Sequence, residues 1–210
     1  MYHPIRGDSL QSIPKQPSKP GDVSLLDCYT VSMLHVRPYH EDDAFACLTI
    51  DPGYVTRQSF RLSATRHTVS PSFTLQPVEL PRPRAIEGWP LDPPFEVRRT
   101  YADFSLVIEQ DGIQGYLLGS KRATSLSVDL LVIAPEWRRQ GLGSVLLEKA
   151  RAWAIENRLR WIDVEIEARN EAALSFLRHQ SFDIIGIRDD TGRGGQVVLT
   201  LTAAVQPLGK

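Results

Sequence analysis

The chain is poor in sulfur, with two cysteines, Cys28 and Cys47, and two methionines in 210 residues. Two cysteines permit one disulfide at most. They build neither a disulfide scaffold nor a CxxC metal site, and no metal is expected. Long apolar runs are also missing. None approaches the length of a transmembrane helix, and the N-terminus lacks the apolar core of a secretory signal. These absences predict a cytoplasmic protein. Net charge is nearly absent, at −1 from 24 Lys+Arg and 25 Asp+Glu. No global field then favours nucleic acid or an anionic membrane, and neither is an expected partner. Two nucleotide signatures are missing as well. There is no GxxxxGK[ST], and "RRQGLG" lacks the first glycine of the GxGxxG fingerprint.

What is present suits one domain with an extension. Residues 1–22 carry four prolines and little hydrophobic periodicity, and read as an irregular N-terminal extension. Residues 23–210 are expected to form a single domain. In its first part, "YTVSMLHV" reads as a strand and "HEDDAFACLTI" as a short helix with an acidic start. "RQSFRLSATRHTV" and "SFTLQPVEL" read as strands. Seven prolines from Pro71 to Pro94 favour loops and edge segments there.

From about residue 96 the pattern sharpens. "DFSLVIEQ" and "IQGYLLGSK" are strands around Asp111-Gly112, a hairpin dipeptide. "TSLSVDLLVIA" alternates and then turns wholly apolar, as a strand buried on both faces does, until Pro135 stops it. A helix is predicted from about Arg138 to Asn157, with Leu142, Val145, Leu146, Ala150 and Trp153 as its apolar stripe. Then follow a strand "WIDVEIEA", a helix "NEAALSFLRHQ" capped by Asn170, and two strands, "FDIIGIR" and "QVVLTLTA". Strands alternating with helices and ending in a hairpin imply an α/β fold with a mixed sheet.

The turn "RRQGLG" joins an apolar strand to a long helix. The first N–H groups of a helix lack intrahelical partners and point outward, and its dipole favours an anion. Gly141 and Gly143 allow close approach to the backbone, and Arg138 and Arg139 add charge. A diphosphate suits such a place. A glycine turn needed only as a tight corner fits the same six residues.

The surrounding residues resemble a known family. "VDLLVIAPEWRRQGLGSVLLEKA" is similar to the acetyl-CoA-binding motif of the GNAT superfamily of N-acetyltransferases: an apolar strand, a proline, an aromatic, then Arg/Gln-x-x-Gly-x-Gly/Ala opening a helix. "VEIEARNEAALSFL" resembles a second family segment, with Glu165, Asn170, Ala173 and Phe176 in register. The stretch "SATRHTVSPSF" ahead of the core is faintly similar to streptothricin-type antibiotic acetyltransferases. The resemblance implies a mixed sheet splayed between the motif strand and the next strand. It implies that the backbone of Leu131, Val132 and Ile133 pairs with pantetheine. It implies that the amides of Arg138, Arg139, Gln140, Gly141, Leu142, Gly143 and Ser144 hold the pyrophosphate, and that Asn170 and Phe176 flank the thiol end. Acetyl-CoA is then a co-substrate, and a small-molecule or peptide amine is the acceptor. Many family members dimerise, so a homodimer is compatible with the chain.

Acylation requires a neutral amine. A lysine-like amine of pKa near 10.4 is neutral less than ~0.1% of the time at pH 7, a penalty of roughly 4.6 kcal/mol, and a carboxylate acting directly or through water can remove its proton. Glu165 is the first candidate, because the resemblance places the base of some ribosomal-protein acetyltransferases there. Asp163 and Glu167 share its strand face by period two. Asp129 is the second, to bind or relay; Ser127 stands where histone-type members keep a glutamate. The usual tyrosine donor after the phenylalanine is replaced by Leu177, and the usual Gly-Phe by Ser181-Phe182. Ser175, Tyr116 and His179 are other hydroxyl or imidazole donors. The expected activity is transfer of acetyl to a primary amine by direct attack in a ternary complex. The alternative is a CoA-binding regulatory or interaction protein with a degenerate, weakly catalytic form of the fold.

Overall fold

A computed structural model describes residues 34–65, 72–88, 91, 93–190 and 195–206. Its seven-stranded sheet has the order β1 (His35–Pro38), β4 (Phe104–Glu109), β5 (Ile113–Lys121), β6 (Ser125–Ile133), β7 (Trp161–Glu167), β9 (Val197–Ala204), β8 (Asp183–Asp189). Only β6 and β7 pair in parallel. A parallel pair needs a crossover, and helix α3 (Leu142–Glu156) supplies it.

Helices cover both faces. Leu146, Leu147, Ala150 and Ala154 of α3 pack with Leu177 of α4 (Glu171–His179) onto Leu117, Leu126, Val128, Ile162 and Val164. On the opposite face, α1 (Ala44–Thr49) and α2 (Phe95–Thr100) enclose Cys47, Phe95, Val107, Tyr116, Leu118 and Val132. Alternation along each strand divides its residues between these two cores. The short α2 has too few turns to leave a periodic signal in the sequence.

The long helix starts at Leu142, four residues later than its predicted start at Arg138. Pro135–Trp137 form a 3-10 turn first. Arg139 and Gly141 then take φ of 65° and 87°, which a right-handed helix cannot include. The hairpin at Asp111-Gly112 forms as predicted, with positive φ at both residues. Asn170 caps α4 by accepting from the Ala173 N–H at 3.1 Å.

The segment richest in proline folds as a separate two-stranded sheet, β2 (Tyr54–Thr65) against β3 (Ser72–Ile86). β3 runs past its predicted end. Both strands are sheet edges, where a missing N–H is tolerated, and Pro81 and Pro83 fall where the register shifts between Thr56 and Gln58. The proposed extension, residues 1–22, lies outside the described residues, as do Cys28 and most of the first predicted strand. Cys47 is a free, buried thiol.

Candidate active site

The parallel pair β6–β7 is short. Its rungs run from Ser125–Trp161 to Val128–Val164 and then stop. Beyond that point β6 stays with β5 up to Ile133, and β7 stays with β9 up to Glu167. The sheet therefore forks. A bulge marks the parting: Gly119 pairs with Val128 and Leu118 with Leu130, which leaves Asp129 as the extra residue.

One arm of the fork has an open edge. The Ala134 N–H donates to the Gln114 carbonyl at 2.8 Å. By the alternation of an antiparallel ladder, Val132 is then turned toward β5, and Leu131 and Ile133 present their polar groups to the gap. The Ile133 carbonyl already accepts from Arg138 Nε at 2.9 Å. Of the three residues expected to meet pantetheine, Leu131 has the most freely placed backbone.

The turn at the end of that arm is an anion cradle in form. The N–H groups of Arg139 through Ser144 have no partner among the described residues, and the first helical bond is Val145 N–H to Gly141 at 3.1 Å. Positive φ at Arg139 and Gly141 flanks an ordinary φ at Gln140, an alternation that turns successive amides to one side. The two glycines differ. A Cβ on Gly141 would meet nothing within 4 Å, so its φ of 87° is what requires glycine. A Cβ on Gly143 would sit 3.4 Å from the Phe176 ring and 3.6 Å from Leu131. Phe176 thus reaches across from α4 to the mouth of the turn. Arg138 departs from expectation. Its N–H donates to the Pro135 carbonyl at 3.3 Å, and its guanidinium binds the carbonyls of Ile133, Gly53 and Asp51. The cradle of free amides therefore begins at Arg139.

Asp129 and Glu165 are the first residues past the last rung, one on each arm. Asp129 lies on the Ser127 face, since Ser127 Oγ donates to Asp129 Oδ1 at 3.0 Å; Ser120 donates to its other oxygen. Its carbonyl accepts from Arg98 of α2 at 3.1 Å. Asp163, Glu165 and Glu167 share one face of β7, opposite buried Ile162 and Val164, as period two requires.

None of those three carboxylates is bare. Asp163 accepts from Thr202 Oγ1 at 2.6 Å. Glu165 is exposed and takes both its bonds, at 3.1 Å, from Arg188. Asp190 and Glu165 together hold the Arg188 guanidinium more firmly charged than usual. Glu167 accepts from Tyr54 and from Arg169 at 3.0 Å. Burial first, and then the Glu167 carboxylate, push the Tyr54 hydroxyl well above the ordinary phenol range. Ser120, Arg188, Tyr54 and Arg169 came with no sequence motif: Ser120 arrives by strand pairing, Arg188 and Tyr54 come from strands that do not pair with β7, and Arg169 is two residues from Glu167.

The positions without a usual donor are explained by packing. Leu177 is 4% exposed, in the core under α4. Ser181 takes φ 64°, the conformation for which glycine is the easier residue. His179 is exposed, with its ring nitrogen 2.7 Å from the Ser175 carbonyl. Tyr116 is fully buried, and its hydroxyl has no partner among the described residues. Burial raises its pKa, so it stays protonated. Among the described residues no cluster of His, Cys, Asp and Glu could hold a metal, and no helix is long and apolar enough to cross a membrane.

A mixed sheet forked beside a helix-opening glycine turn defines an acetyltransferase-type α/β fold. Residues 73–182, 110 of the 210, match the Acetyltransferase (GNAT) family, and the chain belongs to that family. Nourseothricin acetyltransferase has a similar structure, with TM-score 0.70 and 24% identity over 82% of this chain and 99% of that one. A protein from Bacillus anthracis str. Ames, assigned as a streptothricin acetyltransferase and solved with acetyl coenzyme A, follows at TM-score 0.64 and 18% identity over 82% and 99%. The ribosomal-protein-S18-alanine N-acetyltransferase from Escherichia coli has TM-score 0.58 and 15% identity over 85% and 97%. At these identities the likeness establishes the fold. No curated protein matches the chain significantly.

Proposed function

We propose that the chain transfers acetyl from acetyl-CoA to a primary amine by direct attack in a ternary complex. The forked sheet supports this reading: its open strand edge has an amide cradle at one end and two carboxylates at the other. The N–H groups of Arg139–Ser144 receive the diphosphate, Leu131 and Ile133 face the pantetheine arm, and Phe176 and Asn170 stand at the α4 side. The cradle fits the ligand chemically, since unpartnered amides at a helix start bind phosphate oxygens.

The thioester supplies the acyl group. Glu165 takes the proton that the amine must lose, directly or through water. Its present partner, Arg188, is exposed and exchangeable. Asp129, fixed by two serine hydroxyls, anchors the incoming ammonium. The amine nitrogen forms a bond to the thioester carbonyl carbon, the carbon–sulfur bond breaks, and the thiolate leaves to be protonated. Residues 23–210 act as one acetyltransferase domain, with 1–22 as an extension and the cytoplasm as the site of action. The acceptor is a small-molecule or peptide amine, and a homodimer is compatible with this reading.

Buried Leu177 favours a second reading, a CoA-binding regulatory protein with little catalysis, because no hydroxyl stands at that place to meet the thiolate. Turnover of acetyl-CoA over a mixed panel of amines, read by release of free thiol, separates the two. Release that depends on an added amine supports transfer. CoA binding with no release over the whole panel supports the second reading.

A further inference from the structure

Residues Asp51–Arg57 lead the chain into β2, and this short stretch touches the ends of both arms of the fork. On the β6 side, Arg138 Nη2 donates to the Asp51 carbonyl at 2.7 Å and Nη1 to the Gly53 carbonyl at 2.9 Å. Its Nε holds the carbonyl of Ile133, the last residue of β6. On the β7 side, the Tyr54 hydroxyl donates to Glu167, the last residue of β7. Thr56 Oγ1 and the Arg57 N–H reach Glu171 Oε1, at the start of α4, at 3.1 and 3.2 Å. The stretch is a strap from one arm to the other, across the open end of the fork.

The strap is stiff. The Gly53 N–H donates to Asp51 Oδ1 at 2.8 Å. Tyr54, Val55 and Thr56 pair with Ile86, Ala85 and Arg84 on the returning strand. A Cβ on Gly88 would lie 2.3 Å from the Pro52 side chain, so the two layers are in tight contact.

Arg138 opens the phosphate turn in sequence, and a charge for the diphosphate is its obvious use. Its side-chain nitrogens are instead spread over three main-chain carbonyls, a task for the planar five-donor fork of arginine that a lysine ammonium cannot perform. We propose that Arg138 is a positioning residue that fastens the strap Asp51–Arg57 across the open end of the fork and registers it to the phosphate turn. The proposal rests on the CoA reading given above. Arg138 also grips Ile133 on the open edge, so a ligand filling that edge and the turn steadies the strap through it. The wall that an acceptor meets at the mouth is thereby set by the donor site.

The test is amide exchange of peptides covering residues 51–57, read by mass spectrometry on the full chain with and without CoA. In the unsubstituted protein, CoA slows exchange of the strap. Arg138→Gln speeds strap exchange about tenfold without CoA and abolishes the CoA effect. Its Kd for CoA stays within about threefold, with the salt dependence that bound phosphate imposes unchanged. Arg138→Lys keeps the charge and loses the fork, so its strap behaves as in Arg138→Gln. Thr56→Val combined with Glu171→Ala frees the far end of the strap. It speeds exchange of 51–57 without weakening CoA.

Three results would overturn the proposal. One is Arg138→Lys restoring full strap protection. Another is Arg138→Gln weakening CoA tenfold or more, with a flatter salt dependence and unaltered strap exchange. The third is unchanged exchange in the Thr56/Glu171 variant. If CoA fails to bind the unsubstituted protein, the CoA reading falls, whereas the exchange of Arg138→Gln without ligand still decides whether Arg138 fastens the strap.

Discussion

Asp129 and Glu165 flank the point where β6 and β7 separate, each the first residue beyond the Val128–Val164 rung and both on the face of Ser127 and Asp163. Two carboxylates are thus held a fixed number of strand residues from the phosphate turn. Asp129 is fastened by Ser120 and Ser127, and Glu165 is tied only to exposed Arg188.

That difference predicts a separation of stability from activity. The exposed Glu165–Arg188 pair contributes under about 1 kcal/mol, so Glu165→Gln melts within a few degrees of the unsubstituted protein. Its kcat/KM for an accepted amine falls about 100-fold or more, the usual scale for a lost general base. Melting and turnover measured on one preparation check both halves. Full activity across the pH range in Glu165→Gln would remove Glu165 from the role of base.

The two glycines of the turn should respond differently to alanine. At Gly141 the obstacle is φ 87°, and a left-handed alanine costs about 1–2 kcal/mol. Relief of that strain would reshape the amide cradle, so CoA weakens about tenfold or more. At Gly143 the new methyl meets the Phe176 ring at ordinary contact distance inside a helix, where alanine is favoured over glycine by about 1 kcal/mol. Gly143→Ala therefore keeps or slightly raises stability and keeps CoA binding. Melting curves and CoA titrations of both variants test the contrast.

Burial, together with nearby Asp43, pushes the Cys47 thiol up to about 12. The folded protein then holds a proton that the unfolded chain releases near pH 9, so stability falls as pH rises from about 9 toward 12. Cys47→Ala removes this share of the alkaline loss, which melting temperature against pH will show. At pH 8 Cys47 resists alkylation until denaturant is added, as peptide mass spectrometry can check.

Asp43 gives the acid counterpart. Arg37 donates to both its oxygens, at 2.7 and 2.8 Å, and holds the carboxyl below its usual range despite burial. This contribution is complete above the ordinary carboxylate pKa and disappears as pH falls through the lower folded value. Asp43→Asn costs about 1–3 kcal/mol near neutrality and makes acid unfolding less steep. Denaturant melts at pH 7 and pH 3 supply the comparison.

Periodic and punctuated elements were legible in the sequence. β4 to β7, the Asp111-Gly112 hairpin and the Asn170 cap follow from alternation, turn chemistry and capping, all of them local signals. The start of α3 was misplaced because Arg139 takes a positive φ that its residue type does not announce. The fork was legible only through the resemblance, since hydropathy does not record where two parallel strands stop pairing. Arg138 read as phosphate charge because two of its three carbonyl partners, Gly53 and Asp51, lie more than eighty residues away in the sequence. Ser120, which holds Asp129, is cross-strand, and Arg188, which holds Glu165, lies on a strand that does not pair with β7; only Ser127 is a local partner.

Calorimetric titration with acetyl-CoA tests the central claim most directly, applied to the unsubstituted protein and to Gly141→Pro, whose ring cannot adopt φ 87°. Saturable binding at one site per chain, lost in a Gly141→Pro protein that remains folded, is the predicted result. No binding by the folded unsubstituted protein, or equal binding by both, would contradict a CoA site at this turn.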